Sequence, residues 1–309
     1  MKASNPDKVM FPGSGYTKAD LVAYYTAVAD TMLPLIEGRP LTMHRFPNGI
    51  GAKGFMQKNV AKHFPDSIER LEIPKQEGGT TVYPVIREAD DIPWLANQGT
   101  ITFHVWLSRL PDIDQPDWMV LDLDPSHDRN NPRQGADVHT VAAATRSVLD
   151  EFALQSYPVA TGSKGFHLWI PLEPAHEPHA VIVANRALAG LVAARNPNIA
   201  TTEFLKKDRK GRVFVDWLRA NRGATVVAPL SLRAKAGAPA AAPVTWDELP
   251  EVAPDQWTIR DIDRILDRPT LEQQVTRRHR LPVDDIVAAA GEANVDLDTP
   301  FDRFGRKPG

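Results

Sequence analysis

Near the start of the chain, apolar positions recur at helical spacing. Residues 17–20 (TKAD) have the form of a capping box, and apolar side chains then follow at every third or fourth position up to Leu35. Gly38 followed by Arg39 and Pro40 is a helix stop signal, so we predict a helix from near Thr17 to near Gly38. Residues 42–101 contain short apolar stretches interrupted by glycine and proline, which indicates small strands and loops in a minor lobe.

The pattern changes to continuous apolar runs at Trp118. Residues 118–124 (WMVLDLD), closed by Pro125, predict a mostly buried strand. An amphipathic helix over residues 138–152 is predicted next. The pattern then predicts the following order: a strand at 158–161, a turn at 162–165, a strand at 166–172, a helix at 180–194 and a strand at 212–217. This order predicts an α/β (α+β) fold.

The chain is expected to divide into a main domain and an extension. We predict the main domain over residues 1–270, with an N-terminal lobe over 1–100 and the central sheet over 101–270. Residues 234–243, rich in alanine, proline and glycine, are predicted to form a loop or a strap across the surface. Residues 271–309 form a partly flexible C-terminal extension that becomes weakly patterned near Arg280 and unstructured at 301–309.

Composition narrows the class of protein and of metal site. Apolar residues make up 42% of the 309 residues and charged residues 24%, as in folded globular proteins. The sequence shows neither a signal peptide nor a transmembrane stretch, so the expected compartment is the cytoplasm. It has no cysteine, so a metal ion would need carboxylate or imidazole ligands, and oxygen ligands suit magnesium or manganese.

The formal net charge of −3 argues against a protein that coats nucleic acid by bulk charge, but it allows a local basic groove. Two basic runs are candidates for such a groove, with solvated charged loops as the alternative. They comprise Lys206, Lys207, Arg209, Lys210 and Arg212, and Arg277, Arg278 and Arg280.

Asp122 and Asp124 are two residues apart on a predicted strand, so their side chains project from the same face. Two repelling carboxylates destabilise a largely apolar strand unless a cation or strong hydrogen-bond donors offset the repulsion. In the alternative interpretation Asp124 forms a turn before Pro125 and Asp122 pairs with a lysine.

Asp216 favours the metal interpretation, because it lies near the end of another apolar strand, residues 212–217. Three strand-borne aspartates suit a two-metal site that activates a 3′-hydroxyl and binds a triphosphate. The same carboxylates could serve a nuclease, so they do not by themselves decide the reaction.

The turn at residues 161–165 (TGSKG) supplies hydroxyls, a cation and two glycines, as an anion cradle requires. It lacks Walker-loop spacing and precedes a strand, so a glycine hairpin with an exposed lysine is the alternative. His167 projects away from its apolar neighbours close to this turn, and His104 is a similar strand histidine; each is a candidate nucleotide contact or a structural histidine.

Four ordered motifs resemble the archaeo-eukaryotic primase superfamily. They are DLDP at residues 122–125, TGSKGFH at 161–167, VFVDW at 213–217 and APLSLR at 228–233. Within that superfamily the chain is most similar to the polymerase domain of bacterial ligase D, which acts in non-homologous end joining, and to stand-alone bacterial primase-polymerases. Residues 7–12 and 45–49 resemble the N-terminal signatures of that family, so the resemblance runs from about residue 5 to residue 266. It implies a primase-type mixed sheet, helices packed on it and a smaller N-terminal lobe.

The resemblance also implies site residues. Metal and catalytic roles fall to Asp122, Asp124 and Asp216. Contacts to the incoming nucleotide fall to His104, Thr161, Ser163, Lys164, His167 and Arg233. DNA contacts fall to Lys8, Lys18, Arg45, Phe55 and Lys58, with Lys8 and Lys18 placed to grip a downstream 5′-phosphate. Relatives often carry a second aromatic where this chain has Met56.

The implied activity is template-directed nucleotidyl transfer that fills short gaps or ends in DNA repair, with ribonucleotides readily used. Two Mn²⁺ or Mg²⁺ ions and nucleoside triphosphates would serve it. The resemblance implies a monomer associated with the nucleoid of a bacterium. Its expected partners are DNA with gaps or ends bearing a 5′-phosphate, a DNA-end-binding protein and a separate ligase. A separate ligase is expected because no adenylating-lysine motif is present. The segment between Trp106 and Trp118 is shorter than in end-joining relatives, which favours gap filling. A two-metal nuclease and a non-catalytic DNA-end adaptor remain the alternatives.

Overall fold

The computed structural model describes residues 2–75, 78–126 and 134–298. The strands are β1 (Val9–Phe11), β2 (Tyr16–Thr17), β3 (Leu41–Arg45), β4 (Phe55–Gln57), β5 (Glu69–Pro74), β6 (Thr80–Val85), β7 (Thr100–Val105), β8 (Trp118–Asp124), β9 (Tyr157–Ala160), β10 (Phe166–Pro171), β11 (Ala200–Thr201), β12 (Val213–Asp216), β13 (Val226–Val227) and β14 (Ala242–Pro243). The helices are α1 (Lys18–Ile36), α2 (Asp91–Asn97), α3 (Gln134–Glu151), α4 (Pro178–Arg195), α5 (Lys206–Arg209), α6 (Ile262–Leu266), α7 (Leu271–Gln274) and α8 (Val283–Glu292), with 3₁₀ turns at Leu218–Ala220 and Leu249–Glu251.

Helix α1 begins and ends where the sequence predicts. The Thr17 hydroxyl accepts a hydrogen bond from the Asp20 amide at 3.3 Å, and the Asp20 carboxylate accepts one from the Thr17 amide at 2.7 Å. This is the reciprocal pairing of a capping box. Two residues after the helix, Gly38 adopts a φ of +72°, a conformation that glycine enters without steric cost.

A six-stranded sheet carries the predicted catalytic strands. Its strand order is β11-β12-β8-β10-β9-β14, and only the β11–β12 pair runs parallel. The sheet is therefore mixed, which confirms the predicted α/β class. The predicted strap over residues 234–243 ends in β14, which extends this sheet beside β9.

Helix α3 covers one face of the six-stranded sheet. The His139 ring of α3 lies 5.1 Å from the Phe166 ring of β10, and Phe166 pairs with Leu123 of β8. Because side chains alternate along a strand, the neighbours Asp122 and His167 lie on the opposite face. That face is the one left for a functional site.

A second, four-stranded sheet has the order β13-β7-β3-β4 and is antiparallel throughout. Helix α1 packs on it through Tyr25, whose ring lies 5.0 Å from that of Phe103 and whose hydroxyl donates to the Ile101 carbonyl at 2.5 Å. One continuous hydrophobic core joins this sheet to the six-stranded one. Strand β13, far along the chain, completes a sheet that otherwise consists of residues before 106.

Residues 271–298 pack onto the rest of the chain. His279 is buried, pairs with Leu172 and donates its amide to the Pro171 carbonyl at 2.9 Å. Helix α8 packs against α4, so an ordered helix stands where the sequence pattern weakened after Arg280. The predicted unstructured segment at 301–309 lies outside the described residues. Within the described part of the chain, no helix is long and apolar enough to cross a membrane.

Candidate active site

Three strands place Asp122, His167 and Asp216 in one row across the six-stranded sheet. In the antiparallel register, Asp122 of β8 faces His167 of β10 on one side and Asp216 of β12 on the other. Asp124 lies two residues further along β8, on the same face, opposite Phe214. Asp216 therefore lies beside Asp122 and Asp124, although more than ninety residues separate it from them in sequence.

Arginine side chains pair with all three carboxylates. Arg219, on the 3₁₀ turn that follows β12, bonds to Asp122 at 3.2 Å and to Asp216 at 2.9 Å. Arg209 of α5 bonds to Asp124 at 2.9 Å. Sequence reasoning missed both roles. The spacing of three residues between Asp216 and Arg219 was the available signal, whereas Arg209 was assigned to a surface basic run.

The opposed residues Asp122 and Asp216 differ in their tendency to ionise. Burial works against ionisation of Asp122, but His167, Arg219 and Arg233 outweigh it and hold the pKa of this carboxyl well below its usual range. Burial raises the pKa of Asp216; Arg219 opposes this rise and the negative charge of Asp122 adds to it. The site therefore favours a charged Asp122 and disfavours a charged Asp216.

The donor set suits a hard divalent cation, since it consists of carboxylate oxygens. Among the described residues, however, no group of three or more His, Asp or Glu side chains is arranged to hold a metal ion as it stands. The arginines occupy the carboxylates instead. The residues fit a metal ion chemically, provided that the ion takes over carboxylate oxygens that Arg219 now holds.

The turn at residues 161–165 is closed by Thr161, whose amide and hydroxyl both donate to the Gly165 carbonyl, at 3.2 and 2.8 Å. A side chain at Gly165 would lie 1.8 Å from the Leu123 carbonyl oxygen, so only glycine fits against β8. The Gly162 amide donates to the Pro254 carbonyl at 2.8 Å. These two glycines pack the turn closely against the protein.

Cationic side chains gather beside this turn. Arg233 donates to the Thr161 carbonyl at 3.2 Å, and Lys235 donates to the Ser163 hydroxyl. Lys164 is exposed on the turn itself. Burial lowers the pKa of Lys235, and the charges of Arg233 and Lys164 lower it further, so these three cations lie near one another. Lys235 was not predicted from the sequence.

Two histidines lie close to these charged groups. His167 is buried, its Nε2 lies 3.6 Å from Asp122, and its Nδ1 has no hydrogen-bond partner within the described residues. Burial, followed by the charge of Arg233 and by His44, lowers the pKa of His104 to about 3. His104 is therefore neutral at physiological pH and can accept a hydrogen bond. His44, its neighbour, was missed in the sequence.

The predicted phosphate-binding lysines lie together near the N-terminus. Lys8 donates to Asn48 at 2.9 Å and Lys18 donates to Ser4 at 2.8 Å. Burial lowers the pKa of Lys18, and the charges of Lys8 and Arg45 lower it further. The three cations thus form one basic cluster.

Phe55 and Met56 are exposed on β4, with 46% and 49% of their surface accessible. The Arg45 guanidinium lies 5.6 Å from the centre of the Phe55 ring. Arg45 therefore connects the predicted DNA contact Phe55 to the basic cluster. Lys58, the third of these predicted contacts, directly follows β4. Of the predicted basic runs, by contrast, Arg209 and Arg212 donate to backbone carbonyls of residues 203–209, and Arg278 bonds to Asp117 and Glu272.

The chain is similar to known proteins over most of its length. Residues 17–271 match the family described as LigD, primase-polymerase domain. The multifunctional non-homologous end joining protein LigD of Mycolicibacterium smegmatis is 37% identical over 271 residues, which cover 87% of this chain and 34% of that protein. LigD of Pseudomonas aeruginosa is 32% identical over 268 residues, which cover 86% of this chain and 31% of that protein. The chain thus spans a minor part of the length of these relatives.

A solved structure of a LigD polymerase domain has the same fold as this chain. The polymerase domain of Mycobacterium tuberculosis ligase D, in complex with DNA, superposes with a TM-score of 0.81 at 33% identity, covering 89% of this chain and 97% of that one. The resemblance inferred from the four motifs is confirmed, and so is the mixed α/β fold. The chain belongs to the LigD primase-polymerase domain family.

Proposed function

We propose that this chain is a template-directed nucleotidyltransferase that fills short gaps or ends in DNA repair. The observation that carries the proposal is the juxtaposition of two groups on one face of the sheet. Asp122, Asp124 and Asp216 form an acidic cluster, and Arg233 and Lys235 form a cationic one beside the turn at 161–165. A polymerase needs both, because it must hold divalent ions and a triphosphate next to each other.

In the proposed site Asp122, Asp124 and Asp216 hold two Mg²⁺ or Mn²⁺ ions. When bound, such ions activate the primer 3′-hydroxyl and neutralise charge on the triphosphate. The carboxylates supply the oxygen ligands for this, and Arg209 keeps the Asp124 carboxylate in place through its bond at 2.9 Å.

The chain's own cations and hydroxyls orient the nucleotide. Arg233, Lys164 and Lys235 offer charge-assisted bonds to phosphate oxygens, which are stronger than neutral hydrogen bonds. The unpartnered Nδ1 of His167 supports a ligand at this position, since buried polar atoms are otherwise nearly always hydrogen-bonded. Neutral His104 is placed to contact the sugar or the phosphates.

DNA is held on the surface that carries the basic cluster of Lys8, Lys18 and Arg45. The three neighbouring cations repel one another, so a shared anion stabilises them. A 5′-phosphate on the downstream side of a gap has the charge to serve as that anion. Phe55 is exposed and can stack under a base, a contact worth about 1–3 kcal/mol.

A polar cleft of about 540 Å³ continues from this surface. Met56 and Lys58 line one side, and Lys75 and Arg222 add positive charge. We propose that a single strand of DNA passes along it, because a cationic groove tracks a phosphate backbone without reading sequence. A separate ligase and a DNA-end-binding protein complete the proposed repair.

The test is incubation with a gapped duplex bearing a downstream 5′-phosphate, Mn²⁺ or Mg²⁺, and each nucleotide type in turn. The proposal requires template-dependent primer lengthening, with ribonucleotides accepted readily. Asp124→Asn should abolish it, whereas the matched Asp150→Asn, which changes a largely exposed carboxylate on α3, should not. Primer shortening would identify a nuclease instead, and binding without any change in primer length would identify an adaptor.

A further inference from the structure

An asparagine on α4 reaches the six-stranded sheet where the pairing between β8 and β12 ends. Asn185 is fully buried, and its Nδ2 donates to the Val120 carbonyl at 3.0 Å and to the Trp217 carbonyl at 2.9 Å. Because both neighbours are carbonyl oxygens, the amide nitrogen of the side chain, and not its oxygen, faces them. One side chain therefore joins β8 to the first residue that follows β12.

The carbonyl of Trp217 belongs to the peptide group that also contacts the Asp216 carboxyl. In the peptide between Trp217 and Leu218, the carbonyl accepts from Asn185 and the Leu218 amide donates to Oδ1 of Asp216 at 2.9 Å. A peptide group is planar, so fixing the direction of its carbonyl also fixes the direction of its N–H. Asn185 is thus connected to the Asp216 carboxyl through a single rigid group.

The other acceptor of Asn185 lies on the strand of the opposing carboxylate. Val120 precedes Asp122 by two residues on β8, and Asp122 is the register partner of Asp216. The amide of Asn185 therefore holds both strands at the point where their own pairing stops. Its Oδ1 has no hydrogen-bond partner within the described residues. Since a buried polar atom without a partner is destabilising, packing alone does not account for an asparagine here.

The next residue of α4 contacts the indole of Trp217. The Arg186 guanidinium lies 5.3 Å from the centre of that ring, and it donates to the carbonyls of Asp296 and Leu297 at 3.0 and 3.1 Å. Trp217 itself is buried. Its side chain and its carbonyl are thus both held from α4, which restricts rotation of the peptide that contacts Asp216.

We propose that Asn185 is a positioning residue: through the peptide between Trp217 and Leu218 it holds the Asp216 carboxylate in the orientation that a divalent ion requires. This inference rests on the proposed function, in which Asp216 is a metal ligand. Removing a group that orients a metal ligand typically changes metal affinity or activity by about 10–100-fold. Without the donor on Asn185 the peptide can turn, and the Asp216 oxygens are no longer fixed relative to those of Asp122.

The test compares wild type with Asn185→Leu and Asn185→Ala, which both remove the donor but differ in the volume that they fill. At saturating Mn²⁺ the kcat for primer extension should fall by about 10–100-fold. The KM for nucleotide and the Kd for gapped DNA should stay unchanged, because other side chains make those contacts. The Kd for Mn²⁺, measured by electron paramagnetic resonance without DNA, should rise by about tenfold or more.

Val192→Ala is the matched control, because it removes buried volume from the same face of α4, about two turns further on, and removes no hydrogen-bond donor. It should lower the melting temperature and leave kcat and the Kd for Mn²⁺ unchanged. Equal losses of kcat and Mn²⁺ affinity in Val192→Ala would show that Asn185 has only a structural role.

A folded Asn185→Leu or Asn185→Ala that keeps the kcat and the Mn²⁺ affinity of wild type would overturn the proposal. Circular dichroism identifies the folded variants. Absence of primer extension by the wild-type chain would overturn the proposed function instead, and the comparison of Mn²⁺ affinities would still test the role of Asn185.

Discussion

Asp216 lies directly opposite Asp122 in the register of β12 and β8, and the two carboxyls share one guanidinium. The pKa of Asp122 is held below its usual range by His167, Arg219 and Arg233 in spite of burial, whereas burial raises the pKa of Asp216. One pair of facing residues thus contains a carboxyl whose ionisation its charged neighbours favour and one whose ionisation burial opposes.

The two aspartates should therefore respond oppositely to the same substitution. Asparagine resembles the protonated acid, so Asp122→Asn should lower the free energy of unfolding in chelator, by about 1–3 kcal/mol for lost charge-assisted bonds. Asp216→Asn should leave it unchanged or raise it, because a disfavoured charge is removed. Both variants should lose primer extension. Urea unfolding at neutral pH is the measurement, and equal destabilisation by both variants would contradict the assignment.

Removal of a cation beside the turn at 161–165 should weaken nucleotide binding much more than DNA binding. Lys164→Ala and Arg233→Ala should each weaken triphosphate affinity by about tenfold or more, since each removes a charge-assisted bond. DNA affinity should change far less. Fluorescence anisotropy with labelled nucleotide and labelled gapped duplex measures the two constants. Arg260→Ala, which removes a guanidinium stacked near Tyr16, is the control. Reduced DNA affinity with unchanged nucleotide affinity would exclude the proposed cradle.

The basic cluster of Lys8, Lys18 and Arg45 should recognise the 5′-phosphate on the downstream side of a gap. Wild type should bind gapped DNA with a 5′-phosphate more tightly than the same DNA with a 5′-hydroxyl, by about 1–3 kcal/mol. Lys8→Ala combined with Lys18→Ala should erase this difference and keep the affinity for the hydroxyl form. Arg195→Ala combined with Arg264→Ala removes the same charge elsewhere and should preserve the preference. A phosphate preference that survives the lysine double variant would place the 5′-phosphate elsewhere.

Buried histidines should make the fold sensitive to acid. Burial lowers the pKa of His104 to about 3, and it also lowers the pKa of His176 and His279. Neutral His176 accepts a hydrogen bond from the Leu281 amide, and neutral His279 accepts one from the Gln155 amide, both at 3.0 Å.

A histidine whose folded pKa lies below its unfolded value of about 6.5 binds protons more readily in the unfolded chain. The stability that these residues contribute is complete above that pH and is lost as the pH falls towards the folded values. Unfolding in urea should therefore show a falling free energy from pH 7.5 to pH 5. His176→Gln combined with His279→Gln should flatten this dependence, and a flat wild-type profile would contradict it.

Local spacing along the sequence determined where α1 begins and on which face of the sheet each strand residue lies. The period of two along residues 118–124 placed Asp122 and Asp124 on one face, and the structure confirms it. The capping box set the start of α1. The same strand alternation directed His167 away from Phe166, and it lies across from Asp122.

Only the tertiary structure decided which charges meet. Arg209 pairs with Asp124 over a separation of 85 residues, and Arg219 with Asp122 over 97. The sequence shows which face a strand residue takes, because that follows from neighbouring bonds along the chain. Strand order and register, which bring Arg219, Lys235 and His44 to the site, depend on how distant segments share one core. No short-range pattern encodes that choice, so an arginine assigned to a surface run by its neighbours in sequence proved to be a buried partner of an aspartate.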